Sequence, residues 1–187
     1  AVGELGGEAL AADVSQGAEV AEMVRAAETA LGPLDILVNN AGITHGAGPL
    51  EEVSEAEFDR VFAVNAKSVY LTARAAVPGM KARGRGAILN VASTAGLSPR
   101  PNLNWYNASK GWMITATKTM AVELAPAGIR VNALAPVAGE TPLLPAFLGE
   151  DTPERRAKFL STIPLGRFST PRDLGAAAAF LCSDDAS

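Results

Sequence analysis

Histidine and cysteine are almost absent from this sequence of 187 residues, which contains only His45 and Cys182. A structural zinc site takes four ligands, most often from these two residue types, so we expect no metal site. A lone cysteine cannot form an internal disulfide, which fits a reducing compartment and favours a cytoplasmic protein. A hydrolase of the Ser-His-Asp type remains open only if His45 is its base.

Strong charge and long apolar runs are lacking as well. The 16 lysines and arginines against 20 aspartates and glutamates give a formal net charge of −4, whereas a nucleic-acid partner requires a basic face. No apolar run reaches the roughly 18 residues that a membrane-spanning helix needs. The first residues, AVGELGGEAL, lack the basic start and apolar stretch of a secretory signal. We therefore expect neither a nucleic acid nor a membrane as partner.

The sequence does contain alternating helix-like and strand-like stretches. Its length and its apolar content of 48% suit a single domain over residues 1–187. Apolar spacing predicts helices over 17–31, 54–80, 104–125, 153–161 and 171–182, and a long loop over 135–152. Short apolar runs that are typical of strands buried on both faces lie at 35–38, 87–92 and 129–134. This alternation predicts an α/β fold with a parallel sheet and right-handed crossovers.

Parallel sheets of this kind bind ligands beyond the carboxyl ends of their strands. Four segments follow predicted strands and should converge on one crevice: Asp13–Val14, Asn39–Gly42, Ala92–Ala95 and Ala135–Thr141.

Three side chains near this crevice suggest acid–base chemistry. Tyr106 and Lys110 are four positions apart on a predicted helix and therefore lie on one face, and Ser93 follows the preceding strand. An ammonium beside a phenol favours the tyrosinate, and lowering a tyrosine pKa from about 10 towards neutrality takes about 3–4 kcal/mol. On spacing alone, however, a Tyr–Lys pair is more often an ordinary feature of a helix surface.

The order of the motifs resembles that of the classical short-chain dehydrogenase/reductases. The matching segments are Asp13-Val14, Asn39-Asn40-Ala41-Gly42, Asn65, Ser93, Tyr106-Asn107-Ala108-Ser109-Lys110 and Pro136 to Thr141. The distance along the chain from Ser93 to Tyr106 also fits the family's pattern, and the resemblance spans essentially all 187 residues. It implies a Rossmann-like, doubly wound parallel sheet and an enzyme that uses NAD or NADP.

The resemblance also implies a reaction and residue roles. A small-molecule ketone and its secondary alcohol would be interconverted by hydride transfer, as in 3-oxoacyl-carrier-protein reductases and sugar or cyclic-alcohol dehydrogenases. Tyr106 would be the general acid or base, and Lys110 would lower its pKa and hydrogen-bond the nicotinamide ribose. Ser93 would hold the substrate oxygen. Asn65, a polar residue in a predicted helix, would anchor a water near Lys110.

The remaining matched residues would contact the cofactor. Asp13 and Val14 would meet the adenine ring, and the segment Asn39, Asn40, Ala41, Gly42 would lie along the adenosine ribose, where small residues allow close approach. Pro136, Gly139 and Thr141 would lie near the carboxamide and the pyrophosphate. Here Pro136 is followed by Val137 instead of the glycine that the family pattern has.

The family's glycine-rich phosphate segment, Thr-Gly-x-x-x-Gly-x-Gly, has no counterpart before Asp13. Gly3, Gly6 and Gly7 follow no predicted strand. We therefore expect an interior piece of the fold, truncated at both ends, with a gap or an exposed edge in its sheet. The 187-residue chain by itself is then expected to be inactive.

Two other functions stay open on the same fold. One is a catalytically silent scaffold or binding protein, although the presence of all four predicted catalytic residues argues against it. The other is an isomerase or epimerase with a different acid–base arrangement. The resemblance further implies a homotetramer. His45 lies in a glycine-rich loop, where a solvated position is favoured over contact with the substrate.

Overall fold

The computed structural model describes residues 6–187, so Gly3 lies outside the described residues. Seven α-helices and three β-strands are present in this range. In chain order they are α1 (Gly17–Leu31), β1 (Ile36–Asn39), α2 (Glu55–Phe62), α3 (Ser68–Arg83), β2 (Gly86–Val91), α4 (Asn104–Leu124), β3 (Ile129–Leu134), α5 (Leu144–Leu148), α6 (Pro153–Leu160) and α7 (Pro171–Cys182). No helix among residues 6–187 is long and apolar enough to cross a membrane.

The three strands form one parallel sheet in the order β1-β2-β3. The register places Leu37 opposite Ile88 and Ile88 opposite Val131. These three residues belong to an apolar cluster with Ala76 and Met80 of α3, so α3 and α4 cover this face of the sheet. The predicted α/β fold with a Rossmann-like parallel sheet is confirmed.

The opposite face is covered by α7, which makes the sheet doubly wound. Arg130 of β3 alternates with Val131 and so points to this second face, where its guanidinium donates to the backbone oxygens of Leu181 (2.9 Å) and Ser183 (2.8 Å). Ile36 and Val38 share this face on β1, and each is about half exposed. Among residues 6–187, β1 and β3 each pair only with β2, so the predicted exposed edge is confirmed.

Two segments differ from the sequence-based expectation. The helix predicted over 54–80 consists of α2 and α3 joined by a π-helical turn at Ala63–Lys67, and α3 continues past Pro78 to Arg83. The predicted loop over 135–152 contains the short helix α5. In contrast, α1, β3 and α7 have the predicted bounds, because capping residues and apolar spacing fix them locally. At α7, Thr170 is the predicted N-cap.

Candidate active site

Ser93 lies two residues after the central strand β2, at the carboxyl edge of the sheet. Its hydroxyl accepts a hydrogen bond from the backbone N–H of Ala95 at 3.1 Å and begins a short 3-10 turn over Thr94–Gly96. The side chain is buried. This places Ser93 in the crevice where a parallel sheet binds its ligands.

Tyr106 and Lys110 lie one turn apart on α4 and are 6% and 4% exposed. Tyr106 lines a cleft of about 580 Å³ together with Ser93. The Lys110 ammonium lies beneath the end of β2 and donates to the backbone oxygen of Val91 at 2.8 Å. The structure therefore brings the predicted trio to one place, with the phenol and the serine in the cleft and the ammonium buried behind the strand.

A close backbone contact holds the Ser93 turn against α4. A Cβ atom on Gly96 would lie 2.7 Å from the nitrogen of Gly111 and 2.7 Å from the carbonyl carbon of Lys110, and real Cβ atoms do not approach backbone this closely. Only glycine allows this contact. Sequence reasoning missed Gly96, because its requirement comes from a helix that is distant along the chain.

Asn65 lies in the π-helical turn and is fully buried. Its amide donates to the backbone oxygen of Ile43 (2.8 Å) and to Ser109 Oγ (3.0 Å), and its Oδ1 accepts from the backbone N–H of Ile43 (2.9 Å). A π turn inserts one extra residue and often marks a functional site. Asn65 thus ties the chain that follows Gly42 to α4, and the water that it would anchor near Lys110 stays a prediction.

Burial shifts the pKa values of Tyr106 and Lys110 in opposite directions. Burial raises the pKa of Tyr106 above its ordinary value, and the Ser93 hydroxyl lowers it in part. This is opposite in direction to the sequence-based expectation, because burial of the phenol outweighs other effects and the Lys110 ammonium is bonded to Val91. Burial lowers the pKa of Lys110 from 10.5 to about 8.

The Asn39 side chain belongs to a buried chain of hydrogen bonds. Its amide donates to Asn90 Oδ1, Thr72 Oγ1 donates to Asn39 Oδ1, and the Asn90 amide donates to Thr117 Oγ1, each at 2.8 Å. This chain links α3, β1, β2 and α4. The Asn39 side chain is therefore used within the protein, which the sequence did not reveal.

The next residues, Asn40 to Gly42, follow β1 into the crevice. Asn40 and Ala41 are exposed. A Cβ atom on Gly42 would lie 3.3 Å from Lys110 Nζ and 3.6 Å from Asn65 Oδ1. The backbone at Gly42 therefore passes close to the Lys110 ammonium, which agrees with a small residue at this position.

Asp13 and Val14 do not follow a strand, since residues 7–13 form none in the structure. The exposed Asp13 carboxylate accepts from the backbone N–H of Ser15 (2.9 Å) and from its hydroxyl (2.7 Å). These hydrogen bonds hold the pKa of Asp13 below its usual value. Val14 is half-buried. The expectation of a strand exit here is wrong, and the adenine contact remains a prediction.

The segment after β3 reaches the same crevice. The Pro136 carbonyl accepts from the backbone N–H of Thr94 at 3.0 Å, and Val137 and Ala138 line the cleft with Tyr106. Gly139 pairs with Ser169 in an isolated bridge. Thr141 is exposed. Pro136 is thus held at the Ser93 turn, whereas Gly139 is held by Ser169.

His45 corrects the expectation of a solvated loop residue, because it is only 1% exposed. Its ring Nδ1 donates to the Gly46 carbonyl at 2.7 Å. Its Nε2 is buried without a hydrogen-bond partner among residues 6–187. The glycine-rich composition of the loop suggested exposure, but the structure buries this ring.

Comparison with known proteins identifies the family. A family model described as enoyl-(acyl carrier protein) reductase matches residues 1–187. The 4-formylbenzenesulfonate dehydrogenase of Comamonas testosteroni is 53% identical over 179 residues, which cover 95% of this chain and 71% of that protein. The 3-oxoacyl-[acyl-carrier-protein] reductase of Thermotoga maritima is 42% identical over 170 residues, with coverages of 90% and 67%.

The fold agrees with a solved member. The crystal structure of 3-ketoacyl-(acyl-carrier-protein) reductase from Brucella melitensis, complexed with NADH, has a TM-score of 0.91 and 52% identity, covering 98% of this chain and 75% of that one. The chain belongs to the short-chain dehydrogenase/reductase family. Members of this family are oxidoreductases that use NAD or NADP, and the chain is such an enzyme.

The short-chain dehydrogenase site has donors that suit the nicotinamide half of its cofactor. An ammonium has three N–H donors, and among the described residues Lys110 Nζ uses one, for Val91. The backbone at Gly42 passes close to this ammonium, since a Cβ atom there would lie 3.3 Å from Lys110 Nζ. When bound, the cofactor supplies or accepts the hydride. Lys110 is the group that would hold the nicotinamide ribose, and the segment Asn39 to Gly42 would lie along the adenosine ribose.

The Gly96 contact generates a prediction for this dehydrogenase. Gly96→Ala forces the Ser93 turn away from α4, because the new methyl group would overlap backbone atoms. We expect a loss of about 1–3 kcal/mol in the free energy of unfolding and a fall of roughly 100-fold in kcat/KM. Denaturant melts and steady-state kinetics of Gly96→Ala, compared with those of the native full-length protein, measure the two effects.

Gly111→Ala is the matched control from the other side of this contact. Its Cβ atom would lie 3.6 Å from the Gly96 oxygen, an ordinary contact, and alanine favours a helix. Stability and kcat/KM should stay unchanged or rise slightly. Equal effects of the two substitutions would contradict the proposed close approach.

The lowered pKa of Lys110 predicts a pH dependence of stability. Between pH 8 and about 10.5 the unfolded chain binds a proton at this lysine that the folded chain does not. The free energy of unfolding therefore gains up to about 1.36 kcal/mol per pH unit in this window. Lys110→Met should remove that gain, measured by urea melts at pH 7.5, 9 and 10.

Lys118→Met is the control for this measurement, because Lys118 is exposed on the same helix. It should keep the pH dependence of the native protein. An identical pH dependence in the Lys110 variant would show that the ammonium is not buried in solution.

Proposed function

We propose that this chain interconverts a small ketone and the corresponding secondary alcohol, with Tyr106 as general acid and base. The observation that supports this best is the shared cleft of Ser93 and Tyr106, with Lys110 buried one helical turn away. In reduction, the Tyr106 phenol donates its proton to the carbonyl oxygen as negative charge develops there. In oxidation, the tyrosinate accepts the proton of the alcohol.

Ser93 positions the reacting oxygen. Its oxygen accepts from the Ala95 N–H, which leaves the one hydroxyl hydrogen for the Tyr106 oxygen or for a substrate oxygen in the cleft. A hydrogen bond from Ser93 to the substrate oxygen would hold that oxygen beside the phenol and stabilise its developing charge. This hydroxyl also lowers the pKa of Tyr106.

Lys110 and Asn65 act behind the cleft. The Lys110 ammonium is held at the end of β2 by the Val91 backbone oxygen, and its two remaining N–H donors would hydrogen-bond the nicotinamide ribose. The Asn65 amide braces Ile43 and Ser109, and the second acceptor site of its Oδ1 is the place for the predicted water. The substrate oxygen would thus be bound by two donors, the Tyr106 phenol and the Ser93 hydroxyl.

The assembly and location extend this proposal. An apolar groove runs between α3 and α4, with Trp112 exposed at its rim and Val122 exposed on the outer side of α4. Such an exposed apolar surface would be buried if copies of the chain assembled, which supports the proposed homotetramer.

The free thiol of Cys182 supports a location in the cytoplasm, where thiols stay reduced. Residues 1–187 would act as one dinucleotide-binding and catalytic domain, and the substrate identity and the choice between NAD and NADP are not assigned.

Replacing the phenol tests the proposed role of Tyr106. Tyr106→Phe keeps the ring and its packing but removes the proton donor, so kcat should fall by about 100- to 10,000-fold. Consumption of NADH or NADPH by the full-length protein with a panel of ketones measures it. A catalytically silent scaffold would show no turnover even before the substitution.

Tyr70→Phe is the control, because Tyr70 is exposed on α3 and is the only other tyrosine in the chain. Its kcat should match that of the native protein. If Tyr106→Phe retains native turnover while Tyr70→Phe does as well, Tyr106 is not the proton donor and another group must be found.

A further inference from the structure

The cleft that holds Ser93 and Tyr106 carries an unbalanced charge. Arg100 is the only charged residue among those that line it, and Phe147, Phe159 and Thr162 are among its neutral neighbours there. The chain as a whole has a net charge of −4, so the cleft is locally opposite in sign to the protein around it.

Arg100 has no acidic partner among residues 6–187. Its Nη2 donates to Thr162 Oγ1 at 2.7 Å, and its guanidinium carbon lies 4.0 Å from the ring centroid of Phe159. Both contacts are with neutral groups. Arg156 and Arg167 of the same C-terminal half instead pair with Asp151 and Asp173. Arg100 therefore keeps its charge and most of its five N–H donors available.

The position of Arg100 is tied to the catalytic helix. Asn107, which directly follows Tyr106, is 7% exposed and donates from Nδ2 to the Arg100 backbone oxygen at 2.8 Å. The Phe159 ring fixes the other end of the Arg100 side chain against α6. Arg100 is thus held at a set place in the cleft relative to the phenol.

Apolar surface separates the guanidinium from the reacting groups. The Phe147 ring lies 5.3 Å from the Tyr106 ring, centroid to centroid, and Phe159 lies under Arg100. A substrate whose reacting carbon meets Tyr106 would lay its carbon skeleton along these rings. The far end of that substrate would then reach the guanidinium.

We propose that Arg100 binds a carboxylate or sulfonate group at the far end of the substrate and selects carbonyl compounds and alcohols that carry one. This rests on the proposed function, because it takes Tyr106 as the reacting end of the cleft. A guanidinium matches two oxygens of such a group with parallel hydrogen bonds. The aromatic walls accept an aryl or short alkyl skeleton.

Binding measurements test this independently of turnover. Isothermal titration calorimetry of the native protein, saturated with NAD⁺, compares 4-acetylbenzoate and 4-acetylbenzenesulfonate with the neutral 4-acetylbenzamide. The two anions should bind roughly 10- to 100-fold more tightly than the amide, which is the range of a charge-assisted pair. Arg100→Gln should abolish the preference and leave the affinity for the amide unchanged.

Two further variants sharpen the test. Arg100→Lys keeps the charge without the planar fork and should retain part of the preference. Arg172→Gln removes a positive charge from the exposed surface of α7 and should keep all of it. If Arg100 is required for binding only the carboxylate or only the sulfonate probe, the site is assigned to that one group.

Three results would overturn the assignment of Arg100. These are equal affinity of the native protein for anion and amide, a preference that survives in Arg100→Gln, and no measurable binding of either anion. Failure of the proposed function gives a different result. Ketone turnover would then be absent, although the Arg100-dependent binding of the anions persists.

Discussion

The burial of one turn of α4, from Tyr106 to Lys110, is the constraint on which the site depends. The turn is accommodated because Gly96 brings the chain after β2 into direct backbone contact with it. One end of the turn presents a phenol to the cleft, and the other places an ammonium beneath Val91. A bulkier residue at the contact would separate the serine turn from the helix that carries Tyr106, the proposed proton donor.

Burial of this turn has opposite electrostatic effects on its two ends. It raises the pKa of Tyr106 and lowers that of Lys110 to about 8, because desolvation disfavours both charged forms. The phenol therefore holds its proton firmly in the bare protein, where the Ser93 hydroxyl is the group that counters the effect. Operation near neutral pH then requires an additional positive charge beside the phenol, which the oxidised nicotinamide ring can bring.

Much of the fold and of the site could be predicted from the sequence. Local signals, such as the Thr170 cap and the apolar spacing of 17–31, determined elements whose bounds the structure reproduces. The order of Ser93, Tyr106 and Lys110 indicated the trio because strand ends meet at one edge of a parallel sheet. The π turn at Asn65, the burial of His45 and the glycine requirement at Gly96 could not be predicted, since each depends on packing between segments distant in sequence.

The acidity of Tyr106 tests the central claim most directly. The chain has only two tyrosines, so Tyr70→Phe leaves Tyr106 as the sole phenol that ionises. A titration of tyrosinate absorbance in this variant, with circular dichroism recorded in parallel, should give a pKa above the ordinary value of about 10 without a dinucleotide. Saturation with NAD⁺ should lower it. A pKa below 10 in the bare protein, or one that NAD⁺ leaves unchanged, would contradict the account.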